Sequence, residues 1–548
     1  MTADEDTERA PRASRTRRAM VLCASVTGSS MAFVNGTAVN LAIDPIQEGL
    51  RAGLGSMLWV ASIYMLFLSA MMLIGGAIGD FYGRRATFVT GVAVFMLTSI
   101  GCAMAPNVEV LIAMRAGQGL GAALLTPMSL TLIADFFPGR GRSAAIGTWS
   151  AASALFTAIG PPLGGFLAEN EGWRTIFLMP LPLGLLALGF GLFGVPKRPP
   201  PRTPEKIDWR GALAATVGFG AIAYGLISLS ERPGLENAAF WAAPLLIGAL
   251  ALFALVHIER RAPSPMVPPS LFAIGTFNAI NLITILLYGA LGGIFLFYPI
   301  YLTDAYGHGV DEIGLAFLGF AVPMLALTAF SGKLTRRFGV RAMLTAGSLV
   351  GIAAFGSMGL LPWSGSLWGA FGSMAIFGAG IALVVPGANT ALFNVTPDQS
   401  HGAASAVNNA CARAATLFAI AGYGAAASWG YRQVAGPDAR LVGYGGGDAL
   451  TGAAGANYRA AIEASFELLT VVSMGLALLS ALVAAFFISG PVGRTVRKGP
   501  PGRSGVRRVY GTGADEAPYD GEGAKDGRLA GDEDEEAEAH ADEAEQRS

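Results

Sequence analysis

Fourteen stretches of mostly apolar residues follow one another along this chain, each about twenty residues long and so able, at ~1.5 Å per residue, to cross a hydrocarbon layer of ~30 Å. They lie near 20–43, 56–79, 87–105, 108–133, 143–168, 173–195, 209–229, 239–258, 275–302, 311–331, 342–361, 367–393, 402–427 and 463–489. In hydrocarbon every backbone N–H and C=O must find a partner inside its own segment, so open runs of this length fold as helices. The fold class that follows is an all-α polytopic membrane protein. Composition agrees: 53% of the 548 residues are hydrophobic, 14% are charged and the mean hydropathy is +0.51. A soluble fold of this length could not bury that much apolar surface.

An even number of crossings puts both termini on one side, and charge says which. About 25 basic residues fall in segments on the termini side and about 6 opposite, a bias that predicts cytoplasmic termini in the cell membrane. Residues 1–19 carry Arg9, Arg12, Arg15, Arg17 and Arg18 and read as a basic cytoplasmic start ahead of an uncleaved first helix. The Pro-rich stretch 196–208 and the stretch 259–274 read as cytoplasmic linkers. From 490 to 548 the chain turns basic and then acidic through Asp532 to Glu536, a composition that cannot pack a core and reads as a disordered cytoplasmic tail. Cys23, Cys102 and Cys411 have no paired spacing and the four histidines are scattered, so neither a disulfide framework nor a metal site is indicated. No catalytic constellation and no phosphate-binding loop is present, which argues against an enzyme.

The chain is also written twice. Gly75-Gly76-Ala77-Ile78-Gly79-Asp80-Phe81-Tyr82-Gly83-Arg84-Arg85 returns in worn form as residues 331–341, about 256 positions on, with Arg336 where Asp80 stands. Residues 121–127 match 380–386, and Pro138 to Ala145 match Pro397 to Ala404, about 259 positions on. The offset predicts two six-helix bundles, 20–195 and 275–489, with two inserted helices at 209–258.

These motifs resemble the major facilitator superfamily, and within it the fourteen-helix drug:proton antiporters of the EmrB/QacA type, over residues 20 to 489. The resemblance implies a gating role for Gly76, Asp80, Gly83, Arg84 and Arg85 in the loop after the second run. It links Arg115, in Arg115-Ala116-Gly117-Gln118-Gly119-Leu120-Gly121, to proton coupling. Gly160-Pro161-Pro162-Leu163-Gly164-Gly165 is similar to the antiporter motif, with Phe156 where the pattern has glycine. The first run, Asn35 to Pro45, is similar to the family's first-helix motif but carries Asn35 in place of an aspartate. An amide hydrogen-bonds but cannot carry a proton. The implied activity is secondary active export of small amphipathic molecules, drugs or natural products, by alternating access with proton antiport and no cofactor. Its partners are then a small-molecule cargo, protons and the bilayer, not nucleic acid. The alternative is export of an endogenous anionic or zwitterionic metabolite or lipid-like compound; a non-transporting sensor fits less well, because the gate residues are intact.

Two polar stripes stand out on apolar helices. Ser405, Asn409, Arg413 and Thr416 share a face of the thirteenth run, with Arg413 near mid-depth, and Asn281, Thr284 and Tyr288 do so on the ninth. Ionisable residues at that depth are costly and point to a functional site. The expected cavity residues are Asn35, Asn40, Gln118, Asn281, Tyr288, Asn409 and Arg413. With an amide at 35 and a cation at 413 the cavity is neutral to positive, which predicts a neutral, zwitterionic or anionic cargo. Asp135, Asp304, Glu463 and Glu467 sit at run ends and are expected at the membrane interfaces.

Overall fold

The computed structural model describes residues 15–137, 140–196, 209–262, 269–361, 365–396, 401–436 and 453–488. Among these every element is helical, and fourteen helices are long and apolar enough to cross a membrane. Helix 1 runs Arg15–Ala38, tightens into a 3₁₀ turn at Val39–Ala42 and resumes as Ile43–Leu50. Helices 2 to 6 are Leu54–Tyr82, Arg84–Ala103, Val108–Phe136, Arg140–Glu171 and Arg174–Gly194. Helices 7 and 8 are Trp209–Glu231 and Ala238–Arg261. Helix 9 is Gly275–Tyr306, helix 10 starts as Val310–Ala316 and continues as Leu318–Phe338, and helix 11 is Val340–Gly359. Helices 12, 13 and 14 are Leu367–Val395, His401–Ala435 and Ala453–Phe487. Arg15 and Phe487 thus lie at the same end of the molecule, the termini face, and the opposite end is the far face.

All fourteen apolar runs are helices, but several ends extend past the apolar signal, furthest at helices 1, 10, 13 and 14. Helix 1 continues beyond residue 43 because Pro45 lacks the N–H that Leu41's carbonyl would accept; the chain tightens for one turn and then recovers. It stops at Arg51, whose left-handed φ of 50° turns its N–H back onto the carbonyls of Gln47 and Glu48. Helix 13 runs on to Ala435 and helix 14 starts at Ala453, beyond the apolar runs that end at 427 and begin at 463. Tertiary contacts hold those extensions: the Tyr431 and Tyr458 rings meet at 6.1 Å, and Tyr458 Oη donates to Asp304 Oδ2 at 2.9 Å. A short helix, Pro269–Phe272, occupies the stretch expected as a linker at 259–274. The expected linker beyond Pro196 as far as 208, residues 1–14 and the acidic tail lie outside the described residues.

The duplication is visible in the packing. Helix 4 packs on helices 2 and 3, and helix 1 on helices 5 and 6; helix 12 packs on helices 10 and 11, and helix 9 on helices 13 and 14. Helices in hydrocarbon gain little from apolar burial and adhere through close backbone contact at small residues. Gly119 rests on the Tyr64 carbonyl so tightly that a Cβ there would lie 2.6 Å from it, and Gly378 rests on the Phe320 carbonyl in the same way. Between helices 2 and 3, Gly83 takes φ 97°, a backbone closed to other residues; Gly339 takes φ 83° between helices 10 and 11.

Helices 7 and 8 are an outlying pair. Helix 8 packs on helix 7 and buries only Gly248, while Leu246, Ile247, Leu250 and Phe253 face outward. Helix 7 lies against helix 2 and helix 13 together: the Trp59 and Tyr224 rings are 6.3 Å apart, the Phe219 and Phe418 rings 5.5 Å apart, and Ser230 Oγ donates to the Gly424 carbonyl at 3.0 Å. It therefore covers the seam between the first six helices and the last six. On the other side, helix 5 meets helix 10, where a Cβ on Gly314 would lie 3.2 Å from Pro162 Cα. Helix 2 meets helix 13 where a Cβ on Gly424 would lie 2.6 Å from Leu58 Cδ1. Both seam contacts, and the Ser230 bond, belong to the far half of their helices.

Candidate functional site

Arg115 is the organising residue. It stands only two turns into helix 4, close enough to the far face for a long side chain to reach out, yet it is 1% exposed. Its Nε donates to the Val60 carbonyl at 3.1 Å, and Nη1 donates to Asn35 Oδ1 and to Gln118 Oε1, both at 2.8 Å. Gln118 Nε2 passes the chain on to Ser99 Oγ at 2.7 Å. The guanidinium lies 4.5 Å from the centre of the Tyr64 ring, and Tyr64 Oη donates to the Ala32 carbonyl at 3.1 Å. A desolvated cation on an aromatic face gains about 2 kcal/mol, which offsets part of the burial cost. Asn35 and Gln118, expected among the cavity residues, thus both accept from Arg115, a meeting with helix 1 that no spacing predicts. Tyr64, Ser99 and the Val60 carbonyl complete the group from helices that gave no sign of it. Asn35 Nδ2 is buried without an acceptor, its Oδ1 being the atom turned to Arg115.

The second half repeats the positions but not the chemistry. Ser99, Gln118, Arg115 and Tyr64 correspond by the 256 and 259 offsets to Phe355, Phe377, Met374 and Phe320. These form an apolar cluster, with Phe355 and Phe377 at 5.0 Å and Phe320 and Phe377 at 5.6 Å. The polar centre therefore belongs to one half alone.

Helix 13 supplies the other cation. Arg413 is half-buried, and its guanidinium lies 5.1 Å from the centre of the Phe33 ring on helix 1, so it is stacked rather than bare. Tyr288, two turns along helix 9 from Asn281, is half-buried as well. Phe33 is backed edge-on by Trp149, whose Nε1 donates to Ser29 Oγ at 3.0 Å. The bond between helices 9 and 13 comes from Asn408, not from the stripe residue Asn409. Asn408 Nδ2 donates to Asn281 Oδ1 at 3.1 Å and Thr284 Oγ1 at 2.9 Å, whereas Asn409 Nδ2 turns back to the Ser405 carbonyl of its own helix at 3.0 Å. Asn40 sits half-buried in the 3₁₀ turn of helix 1, beyond the Arg115 group.

At the termini face, Arg84 Nε and Nη2 each donate to Asp80 Oδ1 at 3.0 Å, and Nη1 pairs with Asp135. Asp135 lies in the last turn of helix 4, where the helix dipole disfavours an acid, so the guanidinium supplies its counter-charge. Sequence position alone made Asp135 an interface residue; only the chain fold brings it to Arg84. Arg85 Nη2 donates to the Leu192 carbonyl at 2.6 Å, tying the loop to helix 6. Gly83 makes the turn, and Gly76 faces open space.

On helix 5, Gly160 and Gly164 let helix 1 approach: a Cβ at Gly160 would lie 2.9 Å from the Val34 carbonyl, and one at Gly164 2.8 Å from Ala38 Cα. Gly165 faces the other half, against the Val310 carbonyl of helix 10, and Pro161 is buried beside it. The motif glycines are thus contact points on both sides of one helix. Among the described residues no group of histidine, cysteine and acidic side chains could hold a metal.

The sequence profile described as Major Facilitator Superfamily matches residues 24–420 and 280–508. The chain is 31% identical to "Multidrug resistance protein Stp" of Mycobacterium tuberculosis, over 71% of this chain and 72% of that one. It is 32% identical to "Cephamycin export protein CmcT" of Amycolatopsis lactamdurans, over 77% and 87%, and 31% identical to "Tetracenomycin C resistance and export protein" of Streptomyces glaucescens, over 70% and 71%. Among solved structures, a bacterial homologue of the human lysosomal transporter Spinster in an inward-facing, unoccupied conformation superposes with TM-score 0.57 at 19% identity, over 86% of this chain and 98% of that one. A D-xylose–proton symporter also gives 0.57, at 17% identity over 86% and 97%. Duplicated six-helix packing, matching glycine contacts at both repeats and these likenesses agree: the chain is a multi-pass membrane transporter, not an enzyme, and belongs to the Major Facilitator Superfamily.

Proposed function

We propose that the protein exports small amphipathic molecules, drugs or natural products, from the cell across the plasma membrane, with both termini in the cytoplasm. In this reading residues 20–195 and 275–489 rock against each other about a mid-depth cargo site, the pair 209–258 riding on their seam, and an inward proton gradient drives the cycle. The observation that carries it is where the halves touch. Gly314 against Pro162, Gly424 against Leu58 and Ser230 against Gly424 all lie toward the far face, below which half-buried Arg413, Asn408, Asn409 and Tyr288 line the interior. Closed on the far face, the molecule is loaded from the termini side. The relatives named for multidrug resistance and antibiotic export favour that cargo class. Position 35 holds an amide, so the proton rides elsewhere; Asp44, the buried acid of helix 1, is the carrier we favour.

Everted vesicles carrying the protein test this with a panel of labelled amphipathic anions, neutral compounds and cations. At least one should accumulate without ATP, and a protonophore should collapse the accumulation. No accumulation of any compound contradicts export, and accumulation that survives the protonophore contradicts proton coupling.

The Asp80–Arg84–Asp135 group acts in this scheme as a latch on the termini side. Its side chains are 26–56% exposed, so each pair is worth only ~0–1 kcal/mol to stability. The same energy shifts a balanced two-state equilibrium about fivefold, which is where its effect belongs. Arg84→Ala should therefore leave expression and melting temperature near wild type while cutting export by up to about 25-fold, the combined effect of both pairs. Equal losses of export and of folded protein would show the group to be structural.

A further inference from the structure

The interior holds two guanidinium groups and, among the described residues, no carboxylate for either. Arg84 pairs with Asp80 and Asp135 at the termini face, and the His308 ring lies beside Glu312 at the far face. Arg115 comes from the first half, where it lies over the Tyr64 ring, and Arg413 from the second, where it lies over Phe33 of helix 1. Arg115 is sealed in, its hydrogen bonds spent on neutral acceptors. Arg413 is not. It is half-buried, its guanidinium carries a ring on one side at 5.1 Å, and Asn409 one turn earlier shares its helix face. The surplus at mid-depth is of positive charge and of donors, Asn35 Nδ2 being buried with no acceptor.

A cation with no acid beside it in a poorly screened medium is costly, and a negative charge arriving with the cargo offsets that cost. We infer that the transported molecule carries a carboxylate- or sulfonate-type anionic group that docks on Arg413, with Tyr288 and Asn409 as further hydrogen-bonding partners and an aromatic body against Phe33. Planar oxyanions suit the fork of donors that an arginine presents, and the Phe33 and Tyr288 rings suit a flat apolar body. The cargo thereby supplies the counter-charge that the protein omits. This inference rests on the exporter reading above and narrows it to one class of cargo.

The test is equilibrium binding to the purified full-length protein with three shape-matched tritiated probes: naphthalene-2-sulfonate, naphthalene-2-carboxylate and the neutral naphthalene-2-sulfonamide, with ethidium as a cationic reference. The two anions should bind at least tenfold more tightly than the sulfonamide and ethidium, and more weakly as salt rises. Arg413→Gln should remove the preference for the anions, and Arg413→Lys should keep part of it, which guards against a variant that fails to fold. Sulfonamide or ethidium binding as tightly as the anions, or an anion preference unchanged in Arg413→Gln, overturns the inference. Vesicles that accumulate ethidium but neither anion would sink it while leaving the exporter reading standing; vesicles that accumulate nothing would sink both.

Discussion

Arg115→Ala is expected to reduce export at least a hundredfold, a loss equivalent to about 2.8 kcal/mol at the step that fails. The arginine makes three hydrogen bonds from one fork, to the Val60 carbonyl, Asn35 Oδ1 and Gln118 Oε1, and thereby fixes helices 1, 2 and 4 in register two turns below the far face. Charge-assisted bonds of this kind contribute roughly 1.5–3 kcal/mol each, and leaving a buried acceptor unpaired costs roughly 1–3 kcal/mol. Against this stands the several kcal/mol that burying the guanidinium costs, so the net change in stability is small while the change in geometry is large. Arg115→Lys should not rescue. A single ammonium on a flexible stem cannot reach the Val60 carbonyl and both amide oxygens together. Asn35→Asp should act the other way on stability, because it gives Arg115 a counter-charge and removes the buried Nδ2 that has no acceptor. Vesicle uptake and thermal unfolding on the same preparations check these outcomes. Wild-type export by Arg115→Ala would mean that the Arg115 group only holds the helices together.

Much of this architecture could be read from the chain because hydrocarbon imposes a single rule. A segment that crosses it must be apolar for about twenty residues and helical throughout. That rule located every crossing, and it failed only where a helix leaves the apolar layer. Tyr431 and Tyr458 extend helices 13 and 14 through contacts with each other and with Asp304, which no local pattern contains. The repeat was equally legible, and the paired contacts of Gly119 with Tyr64 and Gly378 with Phe320 give it a backbone meaning.

The site was legible in part. Periodicity tells which residues share a face of one helix, and so it found Arg115 with Gln118 and the stripe of Arg413. It does not tell which faces meet. Asn408, one position off the stripe, makes the bond to Asn281 and Thr284 because the thirteenth helix presents that edge, not the stripe, to the ninth. Tyr64 and Ser99 escaped notice since each is an ordinary residue on an apolar helix until Arg115 and Gln118 arrive from helix 4. Nor does a repeat in backbone imply a repeat in chemistry: where the first half sets Ser99, Gln118, Arg115 and Tyr64, the second sets Phe355, Phe377, Met374 and Phe320.

The second large effect is expected from a covalent lock across the seam. A Cβ on Gly424 of helix 13 would lie 2.6 Å from Leu58 Cδ1 on helix 2, so the two positions are direct neighbours across the seam, to be bridged by a pair of cysteines. The native Cys23, Cys102 and Cys411 are all free thiols and are first replaced by serine. Both sites lie toward the far face, away from Arg413 and the Asp80–Arg84–Asp135 group. If the halves must part there once in every cycle, the bond stops the cycle without touching the cargo site. The measurement is export by the Leu58→Cys/Gly424→Cys protein, oxidised and then reduced, in the same vesicles. Rocking of the two halves predicts that export ceases on oxidation, returns on reduction and is unaffected in either single-cysteine protein; undiminished export by fully cross-linked protein would contradict it.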